Sequence, residues 1–413
     1  VRRWFGDFRE IAPLGFSFAC ALGCYWMLRT MKNALFMELV GPEYLPTAKL
    51  ASMGFLLVTL VLYGKLVDWL GKRRLLGILY MVYAALFAGL TWIFSQSGRH
   101  PTLGWGFYLS IESFGSLGIS HLWSLAVNAT HDPQVAARRF PMLAVCGQLG
   151  AIACTLLLAT LAPKYGLVPL LLLSSGLLFV APVMALRWLQ ANRVPDRVDE
   201  TPQSTGMLEG LRLVGTRPYL SSILWIVLSY ELVGTFLDYQ MNTMAKHHLN
   251  TLGDVTRFLG MYGFAANSVS FLFALTGTSF LVRRLGLSLC LVLYPTVLAV
   301  VVLTAASFPS LWVFFAAQIA LKGAAYGFNK PCLELLYVPT TDTIQFKAKS
   351  WIDTAGSRGG KSLGSLMNGS YPTDWLIWAG AATCLAFLAV WAPIARRLGK
   401  SHSALLESGK RLS

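Results

Sequence analysis

Charge is what this sequence has least of. Only 13% of its 413 residues are Asp, Glu, Lys or Arg, while 55% are apolar. A soluble domain carries about 25% charged residues, so that class is excluded. A mean hydropathy of +0.57 also excludes a disordered chain. Acid is scarcer than base: 19 Asp+Glu stand against 34 Lys+Arg, a net charge of +15. The basic residues flank long apolar runs instead of forming one stripe. They therefore point to a lipid bilayer and away from nucleic acid.

Metal and disulfide chemistry is lacking too. The seven cysteines (Cys20, Cys24, Cys146, Cys154, Cys290, Cys332 and Cys384) form no C-x-x-C pair, and nearly all lie in apolar runs. They read as small core-filling residues. His121, His131, His247 and His248 have no metal-ligand spacing, so no metal site and no cofactor are expected. No signal peptide is expected either: Arg2, Arg3 and Arg9 lead straight into a full-length apolar segment without a small-residue cleavage site.

What is present is a series of apolar runs long enough to span a bilayer, which takes about 20 residues. Twelve are expected, near 11–30, 48–67, 75–95, 104–127, 140–162, 167–189, 219–242, 258–282, 287–307, 311–331, 351–369 and 374–395. Backbone polar groups cannot go unpaired in hydrocarbon, so such runs are helices. The longest polar stretch, Gln190 to Pro218, divides them six and six. The expected fold is an all-α membrane protein with major-facilitator-like 6+6 bundles around a central cavity. Its parts are a bundle at 1–189, a cytoplasmic linker at 190–218, a second bundle at 219–395 and a cytoplasmic tail at 396–413.

Lys and Arg give the orientation. Twenty-three fall on the side that holds both termini and the central linker, and four (Arg99, Lys164, Lys246 and Arg257) fall on the other. By the positive-inside rule the first side is cytoplasmic. The expected setting is a bacterial inner membrane. Gly64-Lys65-Leu66-Val67-Asp68-Trp69-Leu70-Gly71-Lys72-Arg73-Arg74 resembles the major-facilitator loop after helix 2. Leu281-Val282-Arg283-Arg284-Leu285-Gly286, after helix 8, reads as its repeat copy.

An ionisable group within a span costs about 2.5–3.5 kcal/mol on insertion scales, so each is a functional candidate. The spans hold Arg29, Lys32, Lys49, Glu112, Glu231, Asp238, Lys322, Lys330, Glu334, Asp353, Arg358 and Lys361. Several buried cations call for an anionic substrate, and phosphate oxygens accept strongly from Lys and Arg. Asp353 is placed to pair with Lys349 one turn away. Gly356-Ser357-Arg358-Gly359-Gly360-Lys361-Ser362 imitates a P-loop, but Ala355 stands where the first glycine belongs and no strand precedes it. The chain is therefore read as a non-enzyme with no catalytic residues.

These charges also lie in recognisable segments. Tyr25-Trp26-Met27-Leu28-Arg29-Thr30-Met31-Lys32-Asn33, Pro46-Thr47-Ala48-Lys49-Leu50 and Arg139-Phe140 are three of them. Pro331 to Pro339, Lys347 to Asp353 and Ser357 to Ser362 are the others. Together they resemble the nucleotide transporter family of plastids and intracellular bacteria, the non-mitochondrial ATP/ADP translocases. Glu112 falls at that family's helix-4 Glu, and Asn128 at the Asn ending that helix. The chain departs from the family pattern at Asn33, Asp238, Asn242, Lys330, Cys332 and Leu333.

The resemblance implies a major-facilitator fold and alternating-access exchange of ATP for ADP, or of a related phosphorylated anion. It also implies that Lys32, Glu112, Asp238 and Lys361 are critical to transport. Lys32, Arg358 and Lys361 are expected to hold phosphates, with Lys49 and Lys322 as further candidates. Glu112 and Asp238 are expected to form switching ion pairs, and Asn128 completes the expected substrate-binding set. Lys32 and Lys361 are expected to face one cavity from opposite halves. Proton-coupled symport of another nucleotide or organic anion is the alternative, and a monomer is expected. The charge asymmetry predicts that a cysteine placed at Ser204 is not labelled from outside intact cells; efficient labelling there overturns the topology.

Overall fold

The computed structural model describes residues 2–97, 100–130, 133–192, 207–276, 284, 286–325, 329–341, 344, 348–370 and 373–408. The linker at 193–206, Arg99, His131, Leu281 to Arg283 and Lys347 lie outside them, as do the side chains of Asn128 and Lys330.

The long helices are α1 (Arg2–Leu39), α2 (Leu45–Leu70), α3 (Lys72–Ser97), α4 (Pro101–Asn128), α5 (Pro133–Tyr165) and α6 (Val168–Ala191). The short α7 (Met207–Thr216) precedes α8 (Pro218–His248), α9 (Leu252–Thr276), α10 (Leu287–Ser307) and α11 (Leu311–Ala324). Then follow α12 (Lys330–Leu336), α13 (Ser357–Ser370) and α14 (Thr373–Ser408). Every expected span coincides wholly or in part with one of these.

Among the described residues, eight helices are long and apolar enough to cross a membrane. The protein is an integral membrane protein. Among the helices that miss this standard, α4 carries Glu112 and His121, while α11 and α13 have only 14 residues each. Only part of the tenth expected span is described: α11 ends at Ala324, α12 begins at Lys330, and 326–328 lie outside the described residues.

The chain forms two compact units. The first comprises residues 1–199 and 245–268, the second 200–244 and 269–413. In the first, α1 is the hub. Leu14, Phe18, Ala21, Leu28, Met31 and Leu35 recur at helical spacing, and all are buried. The helix packs chiefly against α5, then α6 and α4. By contrast only 11% of the apolar window of α2 is buried, against 61% for α1 and for α8. Leu57, Val58, Val61 and Leu62 of α2 are more than half exposed and form a lipid-facing surface. The helices that carry Lys32 and Glu231 are thus the two that the protein shields best.

The α2–α3 turn has a mechanical basis. Gly71 adopts φ 73°, a conformation open to glycine at no steric cost. His121 of α4 donates from Nε2 to the Lys72 carbonyl at 2.8 Å, because a carbonyl can only accept. Nδ1 therefore accepts from the Tyr63 hydroxyl at 2.6 Å. In the second unit Gly286 precedes α10 with φ 76° and ψ 156°, against 73° and 156° at Gly71.

Glycine also sets the closest helix approach. A Cβ on Gly150 of α5 would lie 2.1 Å from the Ala19 carbonyl oxygen of α1, whereas one on Gly176 of α6 meets nothing within 4 Å. Gly150→Ala is expected to destabilise the protein by about 1–3 kcal/mol through overpacking. Gly176→Ala should be neutral or stabilising by up to about 1 kcal/mol. Thermal unfolding of the two variants in detergent checks this, and equal midpoints would show that α1 and α5 yield.

Candidate functional site

In the first unit the site grows from α1 and α4. Lys32 lies on the hub helix, so its side chain is only 4% exposed. A charged ammonium there needs a counter-ion. Glu112 supplies it, pairing with Lys32 Nζ through Oε1. Tyr108, one turn before Glu112 on α4, lies under the same ammonium, with its ring centre 3.9 Å from Nζ. A cation over an aromatic face gains further stabilisation. Arg29 and Lys49 add their charge to the field at Lys32. Arg29 itself stands 5.0 Å over the Trp26 ring. Three cations and one carboxylate therefore share this region. Cations gathered in this way suit an anion.

The second unit repeats the arrangement. Lys361 of α13 lies 3.8 Å from Glu231 of α8. The Ser357 hydroxyl donates to Glu231 at 2.9 Å, and Lys322 adds its charge there. The Lys361 side chain is 40% exposed and Glu231 12%, so the cation is presented and the carboxylate is held inside.

The glycines of the P-loop imitation explain how α13 comes so near. A Cβ on Gly356 would meet Leu224 and Val227, one on Gly360 the Leu228 carbonyl oxygen at 2.5 Å, and one on Gly364 Thr235. These are packing glycines at i, i+4 and i+8, which let two membrane helices touch. They form no phosphate-cradling loop: the segment is a π-helix at Ile352–Gly356 followed by α13.

The structure thus gathers Lys32, Lys49 and Glu112 in one cluster, and Lys322 and Lys361 in another. Glu231 is the carboxylate facing Lys361. In the sequence it is one intramembrane charge among many, because no spacing rule links residues so far apart in the chain. Asp238 lies about two turns further along α8 and is half-buried; its own carbonyl accepts from Asn242. Arg358 lies in the first turn of α13 and is half-buried, and Asn128 is the last residue of α4. Lys349 pairs with Glu334 at 2.5 Å. Arg139 donates to Glu10 at 2.6 Å and ties α5 to α1. Among the described residues, no three His, Cys, Asp or Glu side chains are grouped to hold a metal.

Glu112→Gln should leave the buried Lys32 uncompensated and cost about 3–5 kcal/mol. Pairing it with Lys32→Met should recover most of that stability without recovering function. Thermal unfolding of the single and double variants reads this. A double variant no more stable than the single would show that the pair does not carry the cost.

Known proteins resemble the chain over most of its length. It is 20% identical to ADP,ATP carrier protein 1 of Rickettsia prowazekii, covering 98% of this chain and 95% of that protein. It is 23% identical to the chloroplastic ADP,ATP carrier protein 1 of Arabidopsis thaliana, covering 87% and 68%. No protein-family model matches. Solved structures share the fold. The nucleoside transporter NupG matches with a TM-score of 0.59 at 15% identity, over 95% of this chain and 98% of that one. A peptide transporter in complex with sulfate matches with 0.67 at 13%, over 95% of both chains. The resemblance to nucleotide transporters read from the motifs is borne out by these relatives, and the fold is shared with these solved transporters.

Proposed function

We propose that this protein exchanges adenine nucleotides, ATP for ADP, across a membrane by alternating access. The observation that carries the proposal is the buried Lys32–Glu112 pair beneath additional positive charge, repeated at Lys361–Glu231. An ion pair is a resting state for a lysine whose working partner is a phosphate. Phosphate oxygens offer the ammonium a stronger, multiply charged acceptor. The carboxylate is then released and re-forms the pair once substrate leaves. Every lysine so paired stays neutralised in both states, which keeps either state affordable inside a membrane. The relatives named as ADP,ATP carriers support the same substrate class.

In this reading Lys32 and Lys361 hold phosphates, with Lys49, Lys322 and Arg358 adding to the field. Glu112 and Glu231 are the switching carboxylates, and Asp238 and Asn128 complete the polar lining. The reading also takes the protein as a twelve-span monomer with a central cavity and cytoplasmic termini, in a bacterial inner membrane. The substrate's own gradient drives exchange, so no catalytic residue is needed.

Proteoliposomes loaded with ADP should take up labelled ATP, and empty ones should not. Collapsing a proton gradient should change nothing; uptake into empty vesicles that disappears with the gradient would assign proton symport instead. Each charged hydrogen bond contributes about 1.5–3 kcal/mol. Lys32→Ala and Lys361→Ala should therefore each weaken ATP binding by about tenfold to a hundredfold in calorimetry. Unchanged affinity in both, with the proteins folded, would place the phosphate site elsewhere.

A further inference from the structure

The final helix of the second unit has two faces of different character. α14 runs 36 residues, well beyond the roughly 20 that cross a bilayer. Its inner face is continuous: Cys384, Leu388, Trp391, Ala395, Leu398 and His402 recur every three or four residues and are all buried. The last turns are fastened to the unit. Gly399 lies against Ser288 of α10, where a Cβ has no room. His402 donates from Nε2 to the Leu335 carbonyl of α12 at 3.1 Å. The helix is therefore fixed in orientation as far as His402.

The opposite face is exposed. It shows Trp378, Ala382, Ala386, Val390 and Pro393, and then three cations, Arg396, Arg397 and Lys400. These positions follow one another at helical spacing, so the cations continue the stripe that meets lipid. From Trp378 to Arg396 the helix rises about 27 Å. The hydrocarbon layer is about 30 Å thick, and Trp rings favour its boundary. Trp378, 61% exposed, and Trp375, 70% exposed, thus mark one edge of that layer. The cations come at the other edge, at the level of the headgroups. Among the described residues none of the three takes part in an ion pair. Arg396 and Lys400 stand one turn apart, where like charges repel.

We propose that this stripe binds the headgroups of anionic phospholipids. The apolar stems of Arg and Lys lie along a lipid-facing surface while their charges reach the interface. A phosphodiester there accepts paired hydrogen bonds from a guanidinium. The acyl chains of the same lipid run along Ala386, Val390 and Pro393 toward the tryptophans. A soluble anion makes no use of that apolar continuation, whereas a lipid fits both parts of the stripe. The bound headgroup also relieves the repulsion between Arg396 and Lys400. The inference is independent of the exchange reading, because it concerns a lipid-facing surface and not the Lys361–Glu231 pair.

Lipid titration of the purified full chain, read by native mass spectrometry, tests it. The probes are phosphatidylglycerol, phosphatidylcholine with the same acyl chains, and soluble glycerophosphoglycerol. The wild type should bind phosphatidylglycerol more tightly than phosphatidylcholine by about tenfold or more. Each cation near an anionic headgroup contributes about fivefold. Arg396→Gln, Arg397→Gln and Lys400→Gln should therefore each weaken phosphatidylglycerol by about that factor and leave phosphatidylcholine unchanged. Arg396→Lys combined with Arg397→Lys keeps the charge and should keep most of the preference, which separates loss of charge from loss of fold. Lys65→Gln, which removes an exposed charge from α2, should change nothing. Equal binding of the two lipids by the wild type overturns the proposal. So does an unchanged preference in all three glutamine variants, or a loss as large in Lys65→Gln. Full competition by glycerophosphoglycerol overturns it too, and assigns a site for a soluble anion instead.

Discussion

A lysine ammonium inside a membrane must be neutralised at every moment. That constraint organises this protein. Lys32 is 4% exposed and sits on the most sheltered helix of its unit, where water cannot solvate it. Glu112 must therefore be within reach, and α4 must lie beside α1 to bring it there. The closeness of α1 to its neighbours follows in turn from residues such as Gly150, where a methyl group would strike the backbone opposite. Packing glycines and buried charges belong to one arrangement: the first bring the helices near enough for the second to pair.

The same logic recurs in the second unit with different parts. Gly356, Gly360 and Gly364 press α13 onto α8, and Lys361 meets Glu231 across that contact. The two pairs differ in exposure. Lys32 is enclosed, and its carboxylate is the more open partner; Lys361 is open, and its carboxylate is the more enclosed. A polyanion approaching Lys361 meets the cation directly. At Lys32 it must displace Glu112. The two pairs thus differ in how open their cations are to an anion.

Polarity also explains why a hydropathy standard finds fewer spans than the periodic runs suggest. A helix face turned only to lipid, such as that of Leu57, Val58, Val61 and Leu62 on α2, needs no polar residue. One that faces a polar interior carries charges and glycines and scores as less apolar for that reason. The shortfall at α4 is of this kind; α11 and α13, at 14 residues each, fall short on length. The π-helical turn Ile352–Gly356 before α13 carries Asp353.

Several features were legible in the residues alone. Apolar runs of membrane length can only be helices, since hydrocarbon offers the backbone no other partner. The basic asymmetry of the loops, and the odd presence of Lys32, Glu112 and Lys361 within those runs, needed no coordinates. The loop motif ending in Gly71-Lys72-Arg73-Arg74 could be read from the residues as well. Tertiary structure decided which charges meet. Lys361 and Glu231 are separated by most of the second half of the chain, so periodicity cannot join them. Lys349 sits one turn from Asp353 and yet pairs with Glu334. The glycines before Lys361 look like a phosphate loop in one dimension and prove to be a helix-packing face in three. Sequence records local preference and composition, whereas pairing depends on which faces of distant helices are brought within a few ångströms.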